Sequence, residues 1–252
     1  MQVNTFHEKF KDAYIADKSK YIKSHIVSWD YQNKRRRRGV KYLNDVPDGF
    51  FVFKDVNQIS QWMNWFSGEY PSFYDSLIIN PLVERSLKNE NEIFEKLNLV
   101  VDHHNYFNVG LNNAHDFFIP QSYPIPTEFK INNVLDFGAG YGRQANLWWP
   151  YLKGKGNFIG VDAIELPYGL QYHYYKAMEN EDFILDYIDS PTDFKIDTLS
   201  SKIYHLPTWR LDLIPDNSID LVMAIQVFPE LNSRLLKFII KRLNSINTIQ
   251  PF

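Results

Sequence analysis

In the stretch VLDFGAGYGR, Val134 to Arg143, Asp136 ends an apolar run, and Gly138, Gly140 and Gly142 follow at alternate positions. Three of the chain's eleven glycines thus fall within five residues. Glycine has no Cβ and reaches backbone conformations closed to other residues, so such a cluster lets main chain come very close to a ligand. Ala139 and Tyr141 lie within the same bend. A second acid, Asp162 in FIGVD, stands twenty residues beyond Gly142 and is followed by Ala163. An acid at that distance, at a strand tip, is placed to hold ribose hydroxyls; it can equally cap the next helix. Two nucleotide loops do not fit. G-x-G-x-x-G would put its third glycine at Arg143, and a phosphate-binding loop needs Gly-Lys-Ser/Thr, which does not follow. A tight turn without any ligand stays open as the plain alternative.

These residues need elements to position them. NNVLDFG reads as a buried strand ending at the bend, and YGRQANLWWPYL as the helix leaving it. GNFIGVD, KIYHL and SIDLVMAIQV read as further strands, with helices at LPYGLQYHYYKAM and NSRLLKFIIKRLNSI. Strands alternating with helices imply an α/β fold, a doubly wound parallel sheet of Rossmann-like type. Ligands bind such sheets at the carboxyl ends of the strands, where the glycines lie.

The pattern changes near residue 130. Upstream, Phe6, Phe10, Tyr14, Tyr21 and Ile22 form a helical stripe, and NQISQWMNWF and PLVERSLKNENEIFEKLNLVV repeat that spacing. Pro81 suits a first helical turn. GFFVFKDV is short, aromatic and β-branched, which suits a strand or hairpin arm. IPQSYPIPTEF, with Pro120, Pro124 and Pro126, reads as an extended connector, because proline disrupts a helix interior. Residues 1–129 are therefore expected to form a mainly helical, aromatic-rich region, an acceptor side or lid, and residues 130–252 the ligand-binding core.

The run from Val134 to Gly142 resembles motif I of the class I S-adenosylmethionine-dependent methyltransferases, apolar-apolar-Asp/Glu-x-Gly-x-Gly-x-Gly. IPDNSIDLVMAIQVFPEL resembles the turn and fourth strand of the same family. The resemblance implies S-adenosylmethionine as cofactor, held by the bend from Gly138 to Gly142, with Asp136 at its amino group and Asp162 and Ala163 at its ribose. HLPTWRLDLIPDNS occupies the region that flanks adenine in the family, which singles out Thr208, Trp209 and Arg210. Trp209 would stack there, with ordinary core packing as the open alternative.

VDAIELPYGLQYHYYKAM, with the glycine stretch and the aromatic region ahead of it, is similar to bacterial sugar O-methyltransferases. This implies a sugar hydroxyl or a glycosylated small molecule as acceptor. Trp62, Trp65, Phe66, Tyr70, Phe73, Tyr74, Tyr106 and Phe107 are aromatic faces for such a ligand, and their helical spacing equally suits a core. Placing a nucleophile in line with the methyl carbon is worth roughly 7–11 kcal/mol. A hydroxyl also needs a base. Glu230, in QVFPEL after the fourth strand, is the first choice, with Gln226 as a hydrogen-bonder to cofactor or substrate. His115 and Asp116 are expected near the acceptor; His173 and His205 have structural readings as well. Methylation of another small metabolite at O or N, or a non-catalytic methyltransferase-like binding module, are the alternatives.

Other classes fare worse. Asp102, His103, His104, His115 and Asp116 cluster without a recognised ligand spacing, so no metal is expected. Lys34 to Arg38 reads as a solvated loop, and a net charge of -3 gives no pull toward nucleic acid. The absence of cysteine removes disulfides and thiolate zinc sites. Neither a signal peptide nor an apolar run of about 18 residues is visible, so a cytoplasmic protein away from membranes is expected. The family's sheet usually has seven strands, whereas Phe252 follows directly on the helix behind the fourth. The resemblance therefore leaves three readings: a chain truncated after that strand, replacement strands from the amino-terminal half, or a second copy or partner that completes the sheet edge.

Overall fold

The computed structural model describes residues 3–18, 20, 42–43, 46–47, 53–65, 76–100, 103–122, 130–225, 227–228, 231 and 233–248. Helix α1 (Val3–Lys18) precedes a two-residue antiparallel pair, β1 (Tyr42–Leu43) and β2 (Val46–Pro47). Three helices follow: α2 (Gln58–Trp65), α3 (Ser76–Lys96) and α4 (His103–Ser122). Then come β3 (Asn133–Phe137), α5 (Ala145–Leu152), β4 (Asn157–Asp162), α6 (Glu165–Met178), β5 (Ile184–Asp186), β6 (Ile203–Pro207), β7 (Leu221–Met223) and α7 (Ser233–Ile246).

The strands β3 to β7 form one all-parallel sheet in the order β5-β6-β4-β3-β7. The central three are buried along almost their whole length, as expected when helices cover both faces and apolar runs replace alternation. After β6 the chain crosses back over β4 and β3 to add β7 on the far side. The direction of winding therefore reverses at β3, and a crevice at such a point, beyond the strand carboxyl ends, is where open α/β sheets take ligands. β5 was not foreseen; it is three residues long and sits at the edge outside β6. β7 is the opposite edge among the described residues.

Helices α3 and α4 pack against each other and onto α5, while α1 lies on α6. One hydrophobic core runs through both regions, joining Phe6, Phe10 and Tyr14 of α1 to Tyr168, Tyr172 and Trp209. Asp17 adds polar ties, accepting hydrogen bonds from the Tyr187 hydroxyl (2.7 Å) and Trp209 Nε1 (3.0 Å).

Two prolines fall differently from the sequence expectation. α3 begins at Ser76, so Pro81 lies inside it, on its exposed face, and not in its first turn. α4 runs on through Pro120, which the sequence assigns to a connector. Pro120 sits in the last turn, where side chains take over helix-end carbonyls. Gln121 Nε2 donates to the Phe117 carbonyl and Ser122 Oγ to that of Ile119, both at 2.8 Å. Residues 49–52 of the expected strand at GFFVFKDV lie outside the described residues, and residues 53–56, which are described, form no strand but lead into a turn before α2. Among the described residues, no helix is long and apolar enough to cross a membrane.

Candidate functional site

β3 delivers the chain into the glycine bend at its carboxyl end. Gly138, Gly140 and Gly142 have φ values of 74°, 61° and 94°. All three lie in the left-handed region that favours glycine. The Gly138 N–H donates to the Val161 carbonyl at 2.8 Å, tying the bend to β4. A Cβ on Gly138 would come closer than 3.0 Å to the Val227 side chain, and one on Gly142 would lie 2.8 Å from the Tyr175 ring. At these two positions the close neighbours are the chain's own side chains, a use of the glycines that the sequence reading did not include. Ala139 and Tyr141 are buried within the bend.

Two carboxylates flank it. Asp162 is half-buried at the tip of β4. Its Oδ1 accepts the Ala163 N–H at 2.7 Å, and Gln171 Nε2 approaches its Oδ2 at 3.3 Å while donating to the Gly140 carbonyl at 2.9 Å. One carboxylate thus faces the bend and also ties the loop that leads into α6, whose N-cap residue Ile164 carries no side-chain cap. Burial lifts its pKa from 3.8 to about 7, against backbone hydrogen bonds from Ala163, Ile164 and Gly140 and the one from Gln171. Asp136 is 2% exposed, and its Oδ2 has no hydrogen-bond partner among the described residues. Burial takes its pKa to about 7 as well; Arg143 opposes the rise, while Asp116 and Asp162 add to it.

The sign of the resulting pH dependence follows directly. A carboxyl whose folded pKa exceeds its unfolded value favours the fold below the unfolded value, and that contribution is lost as pH rises through the folded one. These two groups should therefore make the ligand-free protein less stable as pH rises from 3.8 to about 7. Asp162→Asn should flatten this part of a plot of denaturant midpoint against pH; an unchanged slope would remove Asp162 from the account.

The amino-terminal helices hold the bend from behind, an arrangement the sequence did not reveal. Glu90 of α3 is fully buried and accepts hydrogen bonds from Tyr141 (2.8 Å), Asn146 (2.6 Å) and Tyr174 (2.5 Å). Burial raises its pKa, against those three hydrogen bonds. From α4, Asn113 accepts from Arg143 Nη1 at 2.7 Å, and Asp116 Oδ2 accepts from Arg143 Nη2 (2.7 Å) and Gln144 Nε2 (2.6 Å). A signal for Glu90 was available: it falls on the buried stripe of Val83, Ser86, Ile93 and Phe94, where apolar residues belong.

His115, beside Asp116 on the same helix, is buried, and burial lowers its pKa against the charge of Asp116. His173 is half-buried with its ring stacked on Phe53, and burial takes its pKa from 6.5 to about 4. His205 is fully buried under the sheet's helix layer. Thr208 and Trp209 follow β6 at its carboxyl end, and both line a cleft of about 580 Å³ with Lys20, Asp212, Phe238 and Arg242. The Trp209 ring is also core, meeting Phe10 and Tyr14 edge-on at 5.6 Å. Arg210 is ion-paired with Asp212 at 3.0 Å.

Gln226, Glu230 and the basic run Lys34–Arg38 lie outside the described residues, as do Phe66, Tyr70, Phe73 and Tyr74. Among the described residues, no group of three or more His, Asp or Glu side chains is arranged to hold a metal ion. Comparison with models of known protein families, and with curated proteins, finds no match to this chain.

Proposed function

We propose that the protein is an S-adenosylmethionine-dependent methyltransferase that methylates a hydroxyl of a sugar or a glycosylated small molecule. The observation that carries this reading is the pairing of three left-handed glycines with two carboxylates of raised pKa at the carboxyl ends of β3 and β4. Burial opposes the ionisation of both acids, and the charge of Asp162 adds to the rise at Asp136, so the site favours a ligand bringing positive charge. An ammonium and a sulfonium bring it. The pyrophosphate of a dinucleotide would bring negative charge to the same place and be repelled.

The residues present fit such a cofactor. Asp162 would accept hydrogen bonds from ribose hydroxyls, and Asp136, with its unpaired oxygen, would answer the ammonium group from under the bend. Thr208 and the edge of Trp209 would wall the base. When bound, the cofactor supplies an activated methyl group. This chain's part is to hold the acceptor hydroxyl in line, exclude water and take up the hydroxyl proton. Glu230 is the proposed base and Gln226 the hydrogen-bonder beside it, both from their place after β7 in the sequence. His115 is assigned to the acceptor side on the same basis.

Titration calorimetry with S-adenosylmethionine should give one site per chain. A folded sample that gives no binding heat would overturn the assignment and favour a binding module. With a labelled methyl group and a panel of acceptors, label should enter carbohydrates; transfer to other acceptors alone would remove the sugar from the proposal.

A further inference from the structure

The inner face of α6 carries one residue out of keeping with its neighbours. Tyr168, Gln171 and Tyr175 stand three and four positions apart, the spacing of a single helical stripe, and all three are 0% exposed. Rings suit such a place. A glutamine does not, because taking an amide out of water costs free energy unless each of its polar atoms is hydrogen-bonded.

The amide of Gln171 has two N–H donors, and both lead to the proposed cofactor site. Nε2 donates to the Gly140 carbonyl at 2.9 Å and to Asp162 Oδ2 at 3.3 Å. A carbonyl oxygen only accepts, so the bond to Gly140 fixes which end of the amide is the nitrogen. The other end, Oε1, is buried with no hydrogen-bond partner among the described residues, a further cost. A methionine or leucine at 171 would fill the space without either penalty. The side chain therefore serves through its two donors and not through stability. Its Cγ stands 3.4 Å from where a Gly142 Cβ would be, so it lies along the bend.

What the donors join decides the role. The N–H groups of Gly138 and Ala139 tie only the start of the bend to β4, at the Val161 carbonyl (2.8 and 3.4 Å). Gln171 reaches further along, to Gly140. On the β4 side, the Ala163 N–H fixes Oδ1 of Asp162, and Gln171 approaches Oδ2. A carboxylate held at both oxygens keeps its plane, as a group that must meet two adjacent hydroxyls requires. We propose that Gln171 is a positioning residue of the cofactor site, its one amide holding the glycine bend and the ribose carboxylate in fixed relation so that both meet the nucleoside together. This rests on the cofactor reading. Gln171 itself touches no cofactor atom; it acts through Gly140 and Asp162.

The test is titration calorimetry of the full chain with S-adenosylmethionine at a series of pH values either side of about 7, where Asp162 titrates. Asp136 of β3 and Tyr175 of α6 are the titratable groups whose charge couples with it. A carboxylate accepts ribose hydroxyls better than a carboxylic acid does, so affinity in the parent should rise through that range. The Gln171 N–H favours the carboxylate. Gln171→Met, of similar volume but without a donor, should therefore bind about tenfold more weakly at neutral pH and recover only at higher pH. In an Asp162→Asn background the same substitution should cost less, since residues in contact do not act additively. Gln171→Glu keeps the shape should the methionine variant not fold; its like charge beside Asp162 should weaken binding further as pH rises. A parent chain that gives no binding heat would remove the cofactor reading and this role with it. With a parent that binds, equal affinity in the folded variants, or a loss that is the same at every pH, would overturn the role of Gln171 alone.

Discussion

Glu90→Ala is expected to lower the unfolding free energy by about 3 kcal/mol or more, since each buried donor left without an acceptor costs about 1–3 kcal/mol. Glu90 accepts from Tyr141, Asn146 and Tyr174, so its loss leaves three buried donors without their acceptor. For a chain of this size each kcal/mol corresponds to roughly 2–4 °C in Tm, so a thermal melt should fall by about 10 °C. Glu90→Gln should cost less, since an amide oxygen in the place of Oε2 still accepts from Tyr174 and Asn146 while the Tyr141 hydroxyl can turn to accept from the amide N–H. Tyr141 belongs to the glycine bend, so cofactor affinity should weaken in both variants in step with stability. A fall in Tm below about 2 °C in Glu90→Ala would show that the three donors find other acceptors.

Gly138→Ala should combine two separable penalties. At a φ of 74° an alanine is strained by about 1–2 kcal/mol. Its Cβ would also collide with Val227, and overpacking of this kind costs about 1–3 kcal/mol. The bend would shift to relieve both, and S-adenosylmethionine affinity, read by calorimetry, should drop by at least about tenfold, equivalent to 1.4 kcal/mol. Adding Val227→Ala should return the steric part and leave the backbone part. If the double variant recovers nothing, Val227 does not restrict the bend; if Gly138→Ala binds as the parent does, the bend does not hold the cofactor.

The glycine bend was legible in the sequence because its requirement is local: three residues without Cβ, directly behind an apolar run. The strands β3, β4 and β6 were legible as short apolar runs for the same reason that they are buried. β5, with three residues, falls below what periodicity can register. Pro120 misled because it stands two residues before the end of α4, where few helical hydrogen bonds remain to be lost. Asp162 carried two readings in the sequence. Its carboxylate meets the bend and the loop residue Ala163, and the following helix starts from Ile164 with no side-chain cap, so Asp162 is not a helix cap. Trp209, too, lines a cleft and fills the core at once. What sequence pattern could not supply were contacts between distant segments. Glu90 meets Tyr141 across 51 positions, and Asp116 meets Arg143 across 27. No spacing rule links such pairs; they exist only once α3 and α4 lie against the core.

Asp17 places the first helix in an unusual relation to time. Its partners Tyr187 and Trp209 stand 170 and 192 positions later. At a ribosomal pace of roughly 5–20 residues per second, some 10–40 seconds separate the birth of that helix from the birth of its mates. For most of the interval Phe10 lacks its later neighbours Tyr168 and Trp209, while Phe6 has only Phe53 among its cross-chain partners, and a lone helix of 16 residues is marginal in water. Part of that helix's apolar face therefore stays uncovered until the stretch carrying Tyr187 and Trp209 has emerged, and its order is gained late, with that stretch.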